Sequence, residues 1–144
     1  MLVQQILGSK ADEGVVTIKP GTTVSEAASL LSRRGIGALV VSDDGSTAAG
    51  ILSERDIVRE LGRRGPVCMT ELVDGMMTAK LVSCTRADKA DAVLGRMTEG
   101  RFRHMPVIED GKLIGLISIG DVVKARLAEL SMERDALQGM VMGH

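Results

Sequence analysis

The sequence predicts a mixed α/β (α+β) fold: two β-α-β-β-α repeats packed about a pseudo-twofold axis, with an extended C-terminal helix. Three observations predict it. First, Gly50-Ile51-Leu52-Ser53-Glu54-Arg55-Asp56 returns sixty-five positions later as Gly115-Leu116-Ile117-Ser118-Ile119-Gly120-Asp121. Second, the match continues over about fifty positions, at an offset of sixty-six that drops to sixty-five after Gly45, the mark of one extra residue before Gly50. Third, both copies alternate β-branched runs with apolar residues at i, i+3, i+4 and i+7. The repeats divide the chain into residues 1–66, with a lead-in, and 67–144, with a linker helix and the C-terminal helix. Each half is near the size at which a lone core is marginal, so the two are expected to pack together.

Taken in order, Val3, Ile6 and Leu7 suggest a short helix, and the polar run Gly8 to Gly14 a connection. Val15-Val16-Thr17-Ile18 reads as a strand ended by Lys19-Pro20-Gly21. Thr23 and Glu26 form a capping box for a helix whose inner face is Val24, Ala27, Ala28 and Leu31, closed by Gly35. Ile36 to Val41 is a strand, Asp43-Asp44-Gly45 a turn and Ala48 to Leu52 a strand. From Ser53 a helix is expected to carry Ile57, Val58 and Leu61 inward. Gly62 to Pro66 breaks the pattern, and the stretch to Thr78, with Met69, Leu72, Met76 and Met77, suggests a connecting helix. Leu81-Val82-Ser83-Cys84 restarts the repeat as a strand. Asp88 is placed to cap a helix with Ala90, Val93, Leu94 and Met97 inside, closed by Gly100. Phe102 to Ile108 is a strand, Glu109-Asp110-Gly111 a turn and Leu113 to Ile117 a strand. The last helix runs from Ser118 to about Met140 with Val122, Val123, Leu127 and Leu130 as its core stripe. Its continuation past the repeat, with Met132, Leu137, Met140, Val141 and Met142, is either fraying helix or a surface for a second chain.

Composition narrows the function classes. Hydrophobic content of 44%, charged content of 26% and a net charge of −1 describe an ordinary globular protein without a broad field for nucleic acid or acidic membrane. With no Trp or Tyr and Phe102 as the single aromatic residue, a base-stacking single-strand binder is poorly supported. No apolar run is long enough for a bilayer span, and the start lacks the pattern of a secretion signal. Cys68 and Cys84 are too few and too unpatterned for a disulfide framework or a zinc site; two buried thiols in a reducing compartment, with the cytoplasm as default, is the expectation.

The repeated Ser-x-x-Asp step carries two readings. In the first it is a capping box, in which Ser and Asp satisfy orphan amides and Asp complements the helix dipole. In the second, each strand-to-helix turn holds a polar ligand: free amides face a phosphate, and a fixed carboxylate accepts both hydroxyls of a ribose. Glu or Gln would cap as well, yet both copies place the shorter Asp at the same point.

With these motifs in order and in duplicate, the chain resembles a tandem cystathionine-β-synthase (CBS) domain pair, or Bateman module, of the stand-alone bacterial type. Val15 to Val24, Arg101-Phe102-Arg103-His104-Met105-Pro106-Val107 and Ser118 to Val123 carry the likeness beyond the repeated turn. The resemblance implies a regulatory module without catalysis, binding adenosyl ligands (AMP, ADP, ATP, NAD or S-adenosylmethionine) in two clefts between the repeats. It also implies a disc-like homodimer. Each cleft is built crosswise in the family. Carried over by position, the first uses Ser53, Arg55 and Asp56 with Leu81, Val82, Phe102, Arg103 and His104. The second uses Ser118 and Asp121 with Val15, Val16, Ile36, Gly37 and Ala38. Arg55, Arg103 and His104 suit a phosphate; the matching Gly120, Gly37 and Ala38 offer room but no cation. Phosphorylated ligands are therefore expected to prefer the first cleft. In the absence of Trp and Tyr the adenine is expected to lie on aliphatic walls, Val82, Ile51 and Phe102 or Val16 and Leu116.

Three rivals stand beside this reading. Enzyme motifs are missing: there is no G-x-G-x-x-G, phosphate loop, H-E-x-x-H or G-x-S-x-G, and Ser53 and Ser118 read as caps rather than nucleophiles. A nucleic-acid-binding CBS protein would use Arg33-Arg34, Arg63-Arg64, Arg101 and Arg103, against the near-neutral charge. A purely structural dimer would leave both clefts empty. Within these residues no effector domain accompanies the pair, so a sensor would signal to an unidentified partner protein.

Overall fold

The computed structural model describes residues 1–10 and 14–141. Part of the Gly8–Gly14 connection, and Met142 of the C-terminal extension, lie outside the described residues. The chain forms two compact units, one of Glu13–Val82 with Ile108–Gly115, the other of Met1–Asp12, Ser83–Val107 and Leu116–His144. Each has its own apolar core.

In the unit built on the first repeat, β1 (Thr17–Ile18) runs parallel to β2 (Ala38–Val41), which pairs antiparallel with β3 (Gly50–Ser53). The register sets Thr17 against Val40 and Ala38 against Ser53. Helix α2 (Val24–Arg34) opens at Thr23, whose hydroxyl accepts the Glu26 amide at 3.2 Å, and ends at Gly35 in the left-handed conformation (φ 62°). Its buried Val24, Ala27 and Leu31 meet Leu39, Val41 and Leu52 in the core. Helix α3 (Glu54–Arg64) follows β3 without a loop.

Two expectations fail in this unit. Of the three residues expected inward on α3, only Ile57 is buried; Val58 is 67% and Leu61 39% exposed. The helix is charged on its remaining faces and presents one narrow stripe to the core. The connecting helix is also absent: Pro66–Thr70 and Val73–Gly75 are short 3₁₀ turns. Their backbone is used laterally instead. The Val24 amide donates to Glu71 O (2.8 Å), the Val73 amide to Thr22 O (2.8 Å), and Ile51 and Thr78 exchange amide bonds at 3.0 and 2.9 Å. Peptide groups engaged with Thr22–Val24 and β3 cannot also close an α-helix. Gly50 permits this approach, since a Cβ there would fall 3.0 Å from Thr78 O and closer still to the Met77 side chain.

The other unit is built on the second repeat. Helix α1 (Val3–Ser9) belongs to it and places Val3 and Ile6 in a core with Val93, Met97, Met105, Ile117 and Val122. Helix α4 (Ala90–Gly100) is capped differently from the sequence expectation. Asp88 is not its N-cap; Lys89 holds that position, and the Asp88 carboxylate accepts the Thr85 amide (2.8 Å) and pairs with Arg96 (3.1 Å). The N-terminal segment takes over instead, the Ala90 amide donating to Met1 O and the Val3 amide to Asp88 O, both at 2.9 Å. Nor does Gly100 take the left-handed turn. It is the last helical residue, Arg101 adopts φ 57°, and the Phe102 ring packs where a Cβ on Gly100 would be.

Strands β4 (His104–Glu109) and β5 (Lys112–Ser118) are joined through Asp110 and Gly111, both at positive φ (51° and 73°), the turn that matches strand twist. The expected strand at Leu81–Cys84 does not form. Cys84 makes a single parallel bridge to Val107, its amide donating to Pro106 O at 3.0 Å. In the first repeat the equivalent ladder includes the Val40 amide donating to Val16 O at 3.1 Å. Pro106 stands where Val40 does and has no N–H to give. Helix α5 (Ile119–Val141) buries Val122 and Ala125; Val123, Leu127 and Leu130, expected in its core stripe, are exposed.

Candidate functional site: the two Ser-x-x-Asp turns

Both repeated turns sit where a strand passes directly into a helix, β3 into α3 and β5 into α5. At the first, the Ser53 amide and hydroxyl donate to Asp56 Oδ2 at 2.9 and 3.0 Å, and the Asp56 amide donates back to Ser53 Oγ at 3.2 Å. Arg59, one turn along α3, donates to Asp56 Oδ1 at 3.0 Å. At the second, the Ser118 amide donates to Asp121 Oδ2 (2.9 Å) and the Asp121 amide to Ser118 Oγ (3.1 Å). The capping arrangement is thus present in both copies.

Each helix start is tied to its own repeat by an equivalent bond. The Glu54 amide donates to Gly37 O, and the Ile119 amide to Arg103 O, both at 2.8 Å. Within one unit this brings Gly37 and Ala38 beside Ser53 and Asp56; within the other it brings Arg103 and His104 beside Ser118 and Asp121. Val15, Val16, Ile36, Leu81 and Val82 belong to the unit of Ser53, Arg55 and Asp56, and Phe102 to the unit of Asp121. Ile51 is buried, Phe102 is partly buried, and Val82 is exposed. Neither Arg55 nor Arg103 forms an ion pair with another of the described residues.

The cation-free character expected around Asp121 is corrected by Lys10. Its ammonium donates to Asp121 Oδ2 and to Leu116 O, each at 2.8 Å. Burial opposes ionisation of Asp121, and the Lys10 ammonium with the Ser118 amide outweighs it, holding the carboxyl below its ordinary range. Lys10, Lys124, Ser9, Asp121 and Ala125 line a hollow of about 430 Å³ in this unit. No local pattern announces Lys10, which lies 111 positions before its partner. Arg59 could have been found, because it stands three residues after Asp56 on a helix, the spacing at which side chains meet.

The buried thiols of Cys68 and Cys84 are unpaired. No group of His, Cys, Asp or Glu among the described residues could hold a metal ion, and no helix among them is long and apolar enough to cross a membrane.

Comparison with known proteins agrees with this architecture. The family model of the CBS domain matches twice, at residues 6–63 and 73–128. The mitochondrial CBS domain-containing protein CBSX3 of Arabidopsis thaliana is 34% identical over 145 residues, covering 98% of this chain and 70% of the relative. The crystal structure of a CBS-domain containing protein from Agrobacterium tumefaciens superposes with a TM-score of 0.82 at 42% identity, over 88% of this chain and 99% of that one. A CBS domain protein from Pyrobaculum aerophilum, solved in complex with AMP, shares the fold at 21% identity with a TM-score of 0.77, over 92% of this chain and 99% of that one. With the two matched segments falling on the two strand-to-helix turns, this chain belongs to the CBS domain family and carries a pair of CBS domains.

Proposed function

We propose that the chain is a non-catalytic regulatory module that binds adenosyl nucleotides and signals their presence to a partner protein. The observation that carries this is the duplication of one turn: a Ser-Asp pair at a helix start, set at the same point of both repeats and tied back through Gly37 or Arg103. A carboxylate fixed at the positive end of a helix dipole suits ribose and phosphate together. A relative of the same fold holds AMP; at its identity that likeness carries the fold, and the ligand class for this chain rests on its own turns.

The ligands proposed are AMP, ADP, ATP, NAD or S-adenosylmethionine, held crosswise as in the family. Ser53, Arg55 and Asp56 act with Leu81, Val82, Phe102, Arg103 and His104, and Ser118 and Asp121 with Val15, Val16, Ile36, Gly37 and Ala38. The guanidinium forks of Arg55 and Arg103 suit a phosphate and favour phosphorylated ligands at the first site. A second copy of the chain is the proposed partner along α5, where Leu127, Leu130, Leu137 and Val141 are exposed. A cytoplasmic location goes with this reading.

A structural alternative has an observation of its own: in this structure both carboxylates already serve as caps. Calorimetry of the purified chain against the five ligands separates the two. The sensor reading expects binding of at least one ligand, with AMP affinity falling at least tenfold in Asp56→Ala and less in Asp121→Ala. Equal AMP affinities in the two variants would remove the assignment of the phosphate site, and no binding of any ligand would leave the turns as caps.

A further inference from the structure

The two turns are not equally open. In the first, the cation on the carboxylate is Arg59 of the same helix, an i,i+3 neighbour that takes Oδ1 and leaves the turn to its own repeat. The equivalent position in the second turn is Lys124, three residues after Asp121, yet the cation bonded to Asp121 is Lys10 instead. The Lys10 ammonium spans two acceptors of the turn, the Asp121 carboxylate and the Leu116 carbonyl, both at 2.8 Å. An ammonium with donors pointing at a carboxylate and a backbone carbonyl mimics the donor pair that a sugar diol presents. It reaches there from far away in sequence, so it is no automatic consequence of helix geometry, as the Arg59 contact is.

We infer that Lys10 is a built-in occupant of the second turn: an adenosyl ligand held by Asp121 must displace the Lys10 ammonium, so that binding there and release of Lys10 are one event. This rests on the reading of Asp121 as a ribose-holding residue. The contact is partly exposed, and an ion pair in that setting is weak enough for a ligand to displace. Binding at the second turn is therefore attenuated rather than blocked, while the first turn carries no comparable long-range occupant among the described residues.

The experiment uses the full chain carrying Asp56→Ala, which leaves the second turn as the remaining site, and adenosine as the probe, because it has the diol and no phosphate for a lysine to attract. Adding Lys10→Met is expected to raise adenosine affinity about two- to fivefold, the range that corresponds to an exposed ion pair. Lys10→Arg, which keeps the charge, is expected to leave affinity unchanged. In the lysine-bearing chain, adenosine is expected to move the side-chain NMR signal of Lys10 toward that of a solvated lysine. Equal affinity with and without Lys10, or a Lys10 signal unmoved at saturation, would overturn the occupant role while leaving Asp121 as a binding residue. Weaker binding in Lys10→Met would make Lys10 a ligand contact and overturn it as well. Adenosine binding in none of the chains, or binding indifferent to Asp121→Ala, would remove the second site itself and this inference with it.

Discussion

At Gly100 the Phe102 ring occupies the space a side chain would need. Helix propensity alone favours alanine over glycine by about 1 kcal/mol, whereas forcing a methyl group into a filled site costs about 1–3 kcal/mol. Gly100→Ala is therefore expected to lower the thermal midpoint; an increase would show that the ring swings away freely. Cys84 makes a second statement at this scale. Burial, and then the charge of Asp88, push its thiol up to about 11 from 9.0. A raised value means that the fold favours the neutral thiol, so its contribution to stability is complete below pH 9 and is lost as pH climbs through the folded value. Alkylation of Cys84 by iodoacetamide, followed by mass spectrometry, is expected to stay slow at pH 8–9 and to accelerate only toward pH 11. Rapid labelling at pH 8 would contradict its enclosure.

Among the elements, most helices and strands were legible because each rests on a local signal. Thr23 with Glu26, the left-handed Gly35, and the Asp110-Gly111 turn are all written in a few adjacent residues. The failures share a cause, which is backbone partners distant in sequence. The segment from Pro66 to Gly75 is apolar enough for a helix, but Thr22, Val24 and Ile51 claim the peptide groups around it. Leu81–Cys84 has strand composition, but Pro106 interrupts the ladder it would join. On α5 the buried face was read only in part: Val122 is buried, whereas Val123, Leu127 and Leu130 are exposed. Val123, Leu127, Leu130, Leu137 and Val141 repeat at three, four and seven positions along an exposed stripe, a spacing that suits helix-on-helix packing. If this stripe carries the homodimer, Leu130→Glu with Leu137→Glu is expected to convert a dimer into a folded monomer in sedimentation. An unchanged mass would place any dimer contact elsewhere. At the candidate site the Ser-x-x-Asp pairs are plain from duplication alone, while Lys10 has no local signal, since only the fold brings it to Asp121 across 111 positions.

For the whole molecule, internal repetition is what made the architecture readable. One motif seen twice reveals two strand-to-helix turns and the elements leading into each. What repetition does not reveal is ownership. Helix α1 is the first element of the chain, yet Val3 and Ile6 are buried with Val93, Met97 and Val122 rather than with the strands that immediately follow it. During synthesis, then, α1 leaves the ribosome with its apolar face uncovered until α4 begins to supply its partners, and its core is complete only when α5 has followed. The unit of the first repeat has most of its core residues in one uninterrupted stretch and can begin to consolidate while translation continues. An apolar helix made well before its partners leaves the nascent chain open to sticking, or to the attention of chaperones, until the second repeat has emerged.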